Sequence, residues 1–285
     1  MIDKSWTKDY VDLRLKFKAD EEVFEQLCQR YPKLSRKTIN GKFVCPTCPA
    51  IKDADGVIVG NQGWYITDGG KRAECDCELQ WRMYYWYLYS NIEEDLQRMD
   101  WDEWKSTDND VLETSIKYLN NHQGFVDEGM GIVMCGPPGT GKTMLTTLIT
   151  KELVKLGYDV MFMLFADLTS AYTKGWKDLE ARERFENDIV RADVLVLDDV
   201  GKEITSTVST GTFDVVLRNR NHSNRPTFFT SNLTQRELEN KYAGSIISLI
   251  TGKDFLVEMV GEDFRPISRE LRRKRVESGW RRPIV

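Results

Sequence analysis

Residues 136–143 read Gly-Pro-Pro-Gly-Thr-Gly-Lys-Thr, a full match to G-x-x-x-x-G-K-[ST], and no other stretch limits the fold so sharply. Ile132, Val133, Met134 and Cys135 precede it as an apolar run, which predicts a buried strand. Leu145, Leu148, Ile149, Leu153 and Leu156 follow it on one helical face, with Gly157 placed to end the helix. Glycines at 136, 139 and 141 let successive backbone N–H groups turn inward around phosphate oxygens, where side chains would block the approach. Lys142 adds positive charge beside the β- and γ-phosphates, Thr143 offers a hydroxyl to Mg²⁺, and the helix beginning there points its positive end at the anion. The expected contacts to ATP are Gly136, Pro137, Pro138, Gly139, Thr140, Gly141, Lys142, Thr143 and Met144.

The chain beyond this loop alternates apolar runs with helical patterns. Strands are predicted over 158–165, 194–199 and 227–231, with helices between them, which implies an α/β fold whose parallel sheet is covered by helices on both faces. Val194, Leu195, Val196 and Leu197 lead into Asp198 and Asp199, so the two acids fall at the C-terminal end of a strand, where such sheets place their ligands. There Asp198 is expected to hold Mg²⁺, directly or through water, and Asp199 to orient or deprotonate the attacking water. An aspartate reaches less far than a glutamate, so turnover is expected to be slow. Asn232 closes the next strand and has two readings: a polar sensor of the γ-phosphate or water, or a turn residue competing with Thr234, which forms a capping box with Glu237.

The N-terminal part has a different texture. Residues 9–30 carry apolar side chains at helical spacing up to Pro32, a segment too short to make a core alone. Glycine-rich turns then separate short β-like runs at 57–59 and 64–66, flanked by Cys45, Cys48, Cys75 and Cys77. A C-x-x-C knuckle and a second close pair suit a four-thiolate Zn²⁺ site; unliganded or redox-active thiols are the other reading. Cys28 and Cys135 lack that spacing and are read as buried thiols. Residues 78–98 form a helical pattern rich in tryptophan and tyrosine, whose rings serve either packing or stacking on nucleobases.

Charge is uneven along the chain, which has a formal net charge of −5. Nine acids fall between residues 93 and 113, whereas eight basic residues fall between 265 and 282. The basic run reads as an interaction element, so an overall acidic balance does not exclude a nucleic-acid partner. There is no apolar run of membrane-spanning length, and the first residues are too polar for a signal peptide, which points to the cytoplasm. The expected organisation is a helical partner-binding segment over 1–40, a zinc module with its aromatic helix over 41–98, an acidic linker over 99–110, an ATPase domain over 111–268 and a basic tail over 269–285.

In order, GPPGTGKT, FADLTSAY at 165–172, VLVLDDVG at 194–201, RNRNHSNRPTFFTSN at 218–232 and DFRP at 263–266 resemble the DnaC/DnaI-type helicase loaders of the AAA+ superfamily. The related IstB-type transposition helpers share much of the pattern, and the cysteine module resembles that of DnaI-type proteins and their phage relatives. This resemblance implies an AAA+ P-loop ATPase that binds a hexameric replicative helicase through its N-terminal region and helps place it on single-stranded DNA. It carries over the phosphate and Mg²⁺ roles to Lys142 and Thr143, the metal and water roles to Asp198 and Asp199, and the sensor role to Asn232. One departure stands out: residues 244–250 contain none of the arginines that in such loaders reach a neighbouring subunit's γ-phosphate. Arg218, Arg220 and Arg236 are the remaining candidates, and a self-assembled homo-oligomer is correspondingly in question. The alternatives are a nucleotide-binding zinc adaptor with little ATPase activity and an IstB-like transposition helper.

Overall fold

The structure, a computed structural model, describes residues 38–39, 42–43, 48–75, 92, 96, 99–104, 109–173, 179–202, 207–261 and 263–278. The chain divides into two compact units, one of residues 1–88 with 281–285 and one of residues 89–280. The helix expected over 9–30, most of the aromatic helix, Cys28, Cys45 and Cys77 lie outside the described residues.

In the first unit the glycine-rich turns close antiparallel ladders. Ala50–Lys52 pairs with Ile58–Asn61, and Trp64–Ile66 pairs with Arg72–Glu74. The Asp53 carboxylate accepts the N–H groups of Asp55 and Val57 at 3.1 and 2.8 Å, a side chain standing in for backbone at the first turn. Across the second ladder the Arg72 guanidinium lies 4.3 Å from the centre of the Trp64 ring. Cys48, just before the first ladder, and Cys75, just after the second, are both buried. Among the described residues no group of three or more His, Cys, Asp and Glu side chains is placed to hold a metal.

The second unit carries a five-stranded sheet. Its strands are β1 (Ile132–Cys135), β2 (Val160–Leu164), β3 (Val194–Val200), β4 (Thr227–Ser231) and β5 (Phe255–Glu258), in the order β5-β1-β4-β3-β2. Every pairing is parallel. β1 and β4 are buried along their whole length, as continuous apolar runs require when both sheet faces are covered. The step from β1 to β2 crosses the sheet in one direction and the later steps return. Right-handed crossovers therefore put the first connecting helix on one face and the later ones on the other.

That first helix is α3 (Lys142–Lys155), preceded by α1 (Asn109–Asn120) and α2 (His122–Asp127). Leu145, Leu148, Ile149 and Leu153 are buried as expected, but Leu156 is exposed because it is the C-cap, past the last packed turn. Tyr158 N–H donates to Leu153 O at 3.1 Å and Gly157 N–H to Val154 O at 3.0 Å, the paired bonds with which a glycine in the left-handed region closes a helix. α4 (Phe165–Thr173), α5 (Leu179–Arg191), α6 (Thr207–His222), α7 (Gln235–Lys241) and α8 (Gly244–Thr251) follow. Phe165, Phe213, Phe229, Tyr242 and Ile246 bring α4, α6, β4 and α8 into one buried cluster. Cys135 belongs to the same cluster, and burial pushes its thiol up to about 11.

α9 (Arg265–Ser278) is a helix where a basic tail from 269 was expected. Asp263 accepts Arg265 N–H at 2.9 Å, Pro266 sits in the first turn where no intrahelical donor is lost, and the pairs Glu270–Lys274 and Arg273–Glu277 support its exposed surface. Met99 is buried, and Asp100 to Trp104, read as linker, form a short capped turn: Asp100 accepts Trp101 N–H and its own N–H donates to Glu103. No helix among the described residues is long and apolar enough to cross a membrane.

Arg220 on α6 is fully buried. Its guanidinium donates to Ile189 O, Ala192 O, Pro226 O and Thr227 Oγ1 at 2.6 to 3.0 Å, and burial brings its proton affinity down to about 9. It ties α5, α6 and the entry to β4 together and cannot reach a neighbouring subunit, which removes it as a finger candidate. Arg220→Ala is expected to lower stability by about 3–5 kcal/mol in urea unfolding, because it leaves buried carbonyls without donors, whereas exposed Arg236→Ala is expected to stay within about 0.5 kcal/mol.

Candidate functional site

The phosphate loop joins β1 to α3, and neighbouring segments brace it at its three glycines. Gly136 N–H donates to Leu233 O at 3.1 Å, and a Cβ at Gly136, where φ is 127°, would run into Met259 O. Gly139 O accepts Phe264 N–H at 3.0 Å, and the Asp263 carboxylate covers the side of Gly139 where a Cβ would stand. Gly141, at φ 94°, is the N-cap of α3, and the Trp104 ring comes within 2.9 Å of where its Cβ would be. The loop can thus be only backbone at these points, because other chain elements occupy the space of side chains.

No side chain caps α3, so the N–H groups of its first turn remain directed at the loop. Lys142 is buried with its Nζ donating to Gly136 O at 2.8 Å and Pro137 O at 2.6 Å. Desolvation lowers its pKa to about 8, offset in part by Asp199 and Asp198, while Arg265 at the start of α9 adds to the lowering. A cation held over backbone carbonyls is stored charge that an arriving polyanion can draw out. The loop has three features that suit a triphosphate: inward-turned backbone, an uncapped helix start and this buried ammonium.

Opposite the loop, β3 and β4 end together. Thr143 Oγ1 donates to Asp198 at 3.1 and 3.3 Å, one distance to each carboxylate oxygen. The Thr230 hydroxyl also donates to Asp198 Oδ1, and it accepts Asp199 N–H at 2.9 Å. Burial raises the pKa of Asp198, and its bonds from Thr230 and Thr143 act against the rise. A hydroxyl and a carboxylate in contact make a hard-oxygen pair that suits Mg²⁺.

Asp199 lies in the left-handed region at φ 65°, which a residue other than glycine takes only when its surroundings hold it there. Asn232 Nδ2 donates to Asp199 Oδ1 at 2.7 Å, and Lys202 Nζ pairs with Oδ2 at 2.6 Å. Asn232 does not cap α7. Thr234 does, accepting Glu237 N–H while Glu237 reaches back to Thr234 N–H. Lys142, Thr143, Asp198, Asp199 and Asn232 are thus connected through hydrogen bonds or through-space interactions around one point. Pro137 and Pro138 are exposed, and Met144 is half-buried. Thr230, Lys202 and Trp104 were not singled out from the sequence. Only the position of Thr230 on the strand beside the two acids would have pointed to it.

The family described as IstB-like ATP binding protein matches residues 90–252. Among curated relatives, the replicative helicase loader DnaC of Escherichia coli (strain K12) is 28% identical over 131 residues, which cover 44% of this chain and 54% of that protein. The replicative helicase loader DnaI of Bacillus subtilis (strain 168) is 31% identical over 119 residues, 41% of this chain and 38% of that one. The chain spans about half the length of the curated relatives it matches. Among solved structures, the crystal structure of DnaI covers 60% of this chain and 96% of its own at a TM-score of 0.54 and 23% identity. That of the DnaC helicase loader covers 59% and 100% at 0.53 and 22%. These likenesses show that the second unit has the fold of those two loader structures.

The buried lysine links nucleotide affinity to pH. Below about 8 Lys142 is charged before the nucleotide arrives, whereas above it binding must also take up a proton. Affinity for ATP, titrated with a fluorescent analogue, is expected to hold between pH 6.5 and 7.5. It should then fall by up to about tenfold per unit above 8, with that slope absent in Lys142→Met.

Proposed function

The chain belongs to the IstB-like ATP-binding protein family, and on that basis we propose that it is an ATP-driven loader that helps place a hexameric replicative helicase on single-stranded DNA. The observation that carries this reading is the contact of Thr143 with Asp198 and of Asn232 with Asp199, the metal and water positions of such a site, in a chain whose curated relatives bear the name replicative helicase loader. Residues 136–144 would hold ATP, with Lys142 exchanging its carbonyls for the β- and γ-phosphates. Thr143 and Asp198 would hold Mg²⁺, which would neutralise phosphate charge. Asp199 orients the attacking water and takes its proton, and Asn232 holds the carboxylate at the angle this needs. The protein is a bacterial or phage-encoded cytoplasmic one, and hydrolysis is slow until a partner or DNA engages it.

The N-terminal segment, residues 1–40, is the helicase-binding part, and the module over 41–98 that follows it would hold Zn²⁺ through Cys45, Cys48, Cys75 and Cys77. Burial of Cys48 and Cys75 at the ends of the two ladders supports that module. The ATPase domain follows, and the exposed basic residues of α9 are available to DNA. Trans-acting fingers are reduced to Arg218, which is paired with Asp214 at 2.8 Å, and Arg236, so assembly on the helicase is favoured over a self-assembled ring. The lack of arginine in α8 favours one second reading, a nucleotide-binding adaptor that holds its partner without hydrolysis.

Hydrolysis by the full chain mixed with its replicative helicase and single-stranded DNA separates the two. The loader reading predicts stimulation over the chain alone, lost about 10²- to 10⁴-fold in Asp199→Asn and abolished in Lys142→Ala. Background hydrolysis together with complex formation that survives both substitutions would establish the adaptor.

A further inference from the structure

Lys202 follows the turn at Gly201 and has no place in the nucleotide contacts described above. Its ammonium donates to Asp199 Oδ2 at 2.6 Å while Asn232 donates to Oδ1 at 2.7 Å, so each oxygen of the carboxylate already has a protein donor. The backbone of the same residue is fixed as well, at φ 65° with its N–H on Thr230. A general base must offer a lone pair to the attacking water within hydrogen-bond reach, and an oxygen that already holds an ammonium at this distance has one lone pair fewer to offer and a cation beside it to compete with that water. The pair is weakly held, because the Lys202 side chain is 57% exposed and exposed ion pairs open readily.

We propose that Lys202 is a positioning residue that restrains hydrolysis: while it is paired it competes with the attacking water for Asp199 Oδ2, and opening of the pair removes that competition. This rests on the reading of Asp199 as the residue that orients and deprotonates that water. Asn232 keeps the carboxylate in place in both states, so releasing Lys202 changes the occupancy of Oδ2 without moving Asp199.

The test is steady-state hydrolysis by the full chain alone, for wild type, Lys202→Met and Lys202→Arg, each with and without Asp199→Asn. Lys202→Met is expected to raise kcat about two- to fivefold, the range set by an exposed pair, with KM unchanged. Lys202→Arg is expected to restore the low rate because a guanidinium can re-form the pair. The gain should vanish in the Asp199→Asn background. In nucleotide-free protein labelled with ¹⁵N-lysine, the ammonium resonance that Lys202→Met removes is expected to shift in Asp199→Asn. An unmoved resonance, or a kcat that is unchanged or lower in Lys202→Met, overturns the proposal. Absence of Asp199-dependent hydrolysis in both wild type and Lys202→Met overturns the ATPase reading with it, whereas Asp199-dependent hydrolysis indifferent to Lys202 overturns this proposal alone.

Discussion

One hydroxyl sets the arrangement of the acids. Thr230 donates to the Asp198 carboxylate and accepts the N–H of Asp199, so a single side chain on β4 fixes one acid by its oxygen and the other by its backbone. It can do so because β4 lies parallel to β3, with Phe229 beside Leu197 and an irregularity in register between Phe229 and Ser231. That shift brings Ser231 opposite Val200, where its hydroxyl donates to Val200 O at 2.6 Å, and leaves Asn232 free to turn onto Asp199. The ends of both strands are thus specified by side-chain hydroxyls in a buried setting, where an unmet polar group would cost about 1–3 kcal/mol.

The loop side is specified differently, by exclusion. Met259 follows β5, Trp104 comes from the turn before α1, and Asp263 and Phe264 lead into α9. Met259, Trp104 and Asp263 stand where the loop has no side chain, and Phe264 N–H holds Gly139 O. The turn carrying Trp104 is anchored to α3 by Lys151, whose buried ammonium donates to Met99 O at 2.7 Å. A helix buried on most of its circumference, including Thr146, Thr147 and Thr150, gives the loop a rigid base: Thr147 and Thr150 donate back along the helix to Thr143 O and Thr146 O, so burial leaves neither hydroxyl unmet. The phosphate site therefore has one wall made by the sheet acids and another made by segments far apart in sequence.

What could be read from residues follows from this division. Local patterns carried β1 to β4, α3 with its glycine stop, the Thr234–Glu237 box and the two acids, because each depends on periodicity, capping or a strand end within a short window. β5 escaped because it is four residues long with only Val257 buried, so no apolar run announces it, although its pairing with β1 is what puts Met259 against the loop. Arg220 read as a finger candidate because its four acceptors lie at the C-terminal end of α5 and the entry to β4, which only the tertiary fold brings to it. The same holds for Thr230, Trp104 and Lys202, whose partners lie at least across a turn or on another element. α9 was hidden by its charge, since a run of arginines with few apolar residues has the composition of a tail until capping and i,i+4 pairs are counted.

The central claim is that Thr143 and Asp198, held together across the loop and β3, form with the phosphate loop a metal-dependent nucleotide site. Its most direct measurement is the affinity of the full chain for a non-hydrolysable ATP analogue with and without Mg²⁺, for wild type and Asp198→Asn. The account predicts that Mg²⁺ tightens binding to wild type by about tenfold or more and leaves Asp198→Asn nearly unchanged, as expected when a carboxylate is one of few protein ligands to the ion. Equal affinity with and without Mg²⁺ in wild type, or an undiminished Mg²⁺ effect in Asp198→Asn, would contradict it.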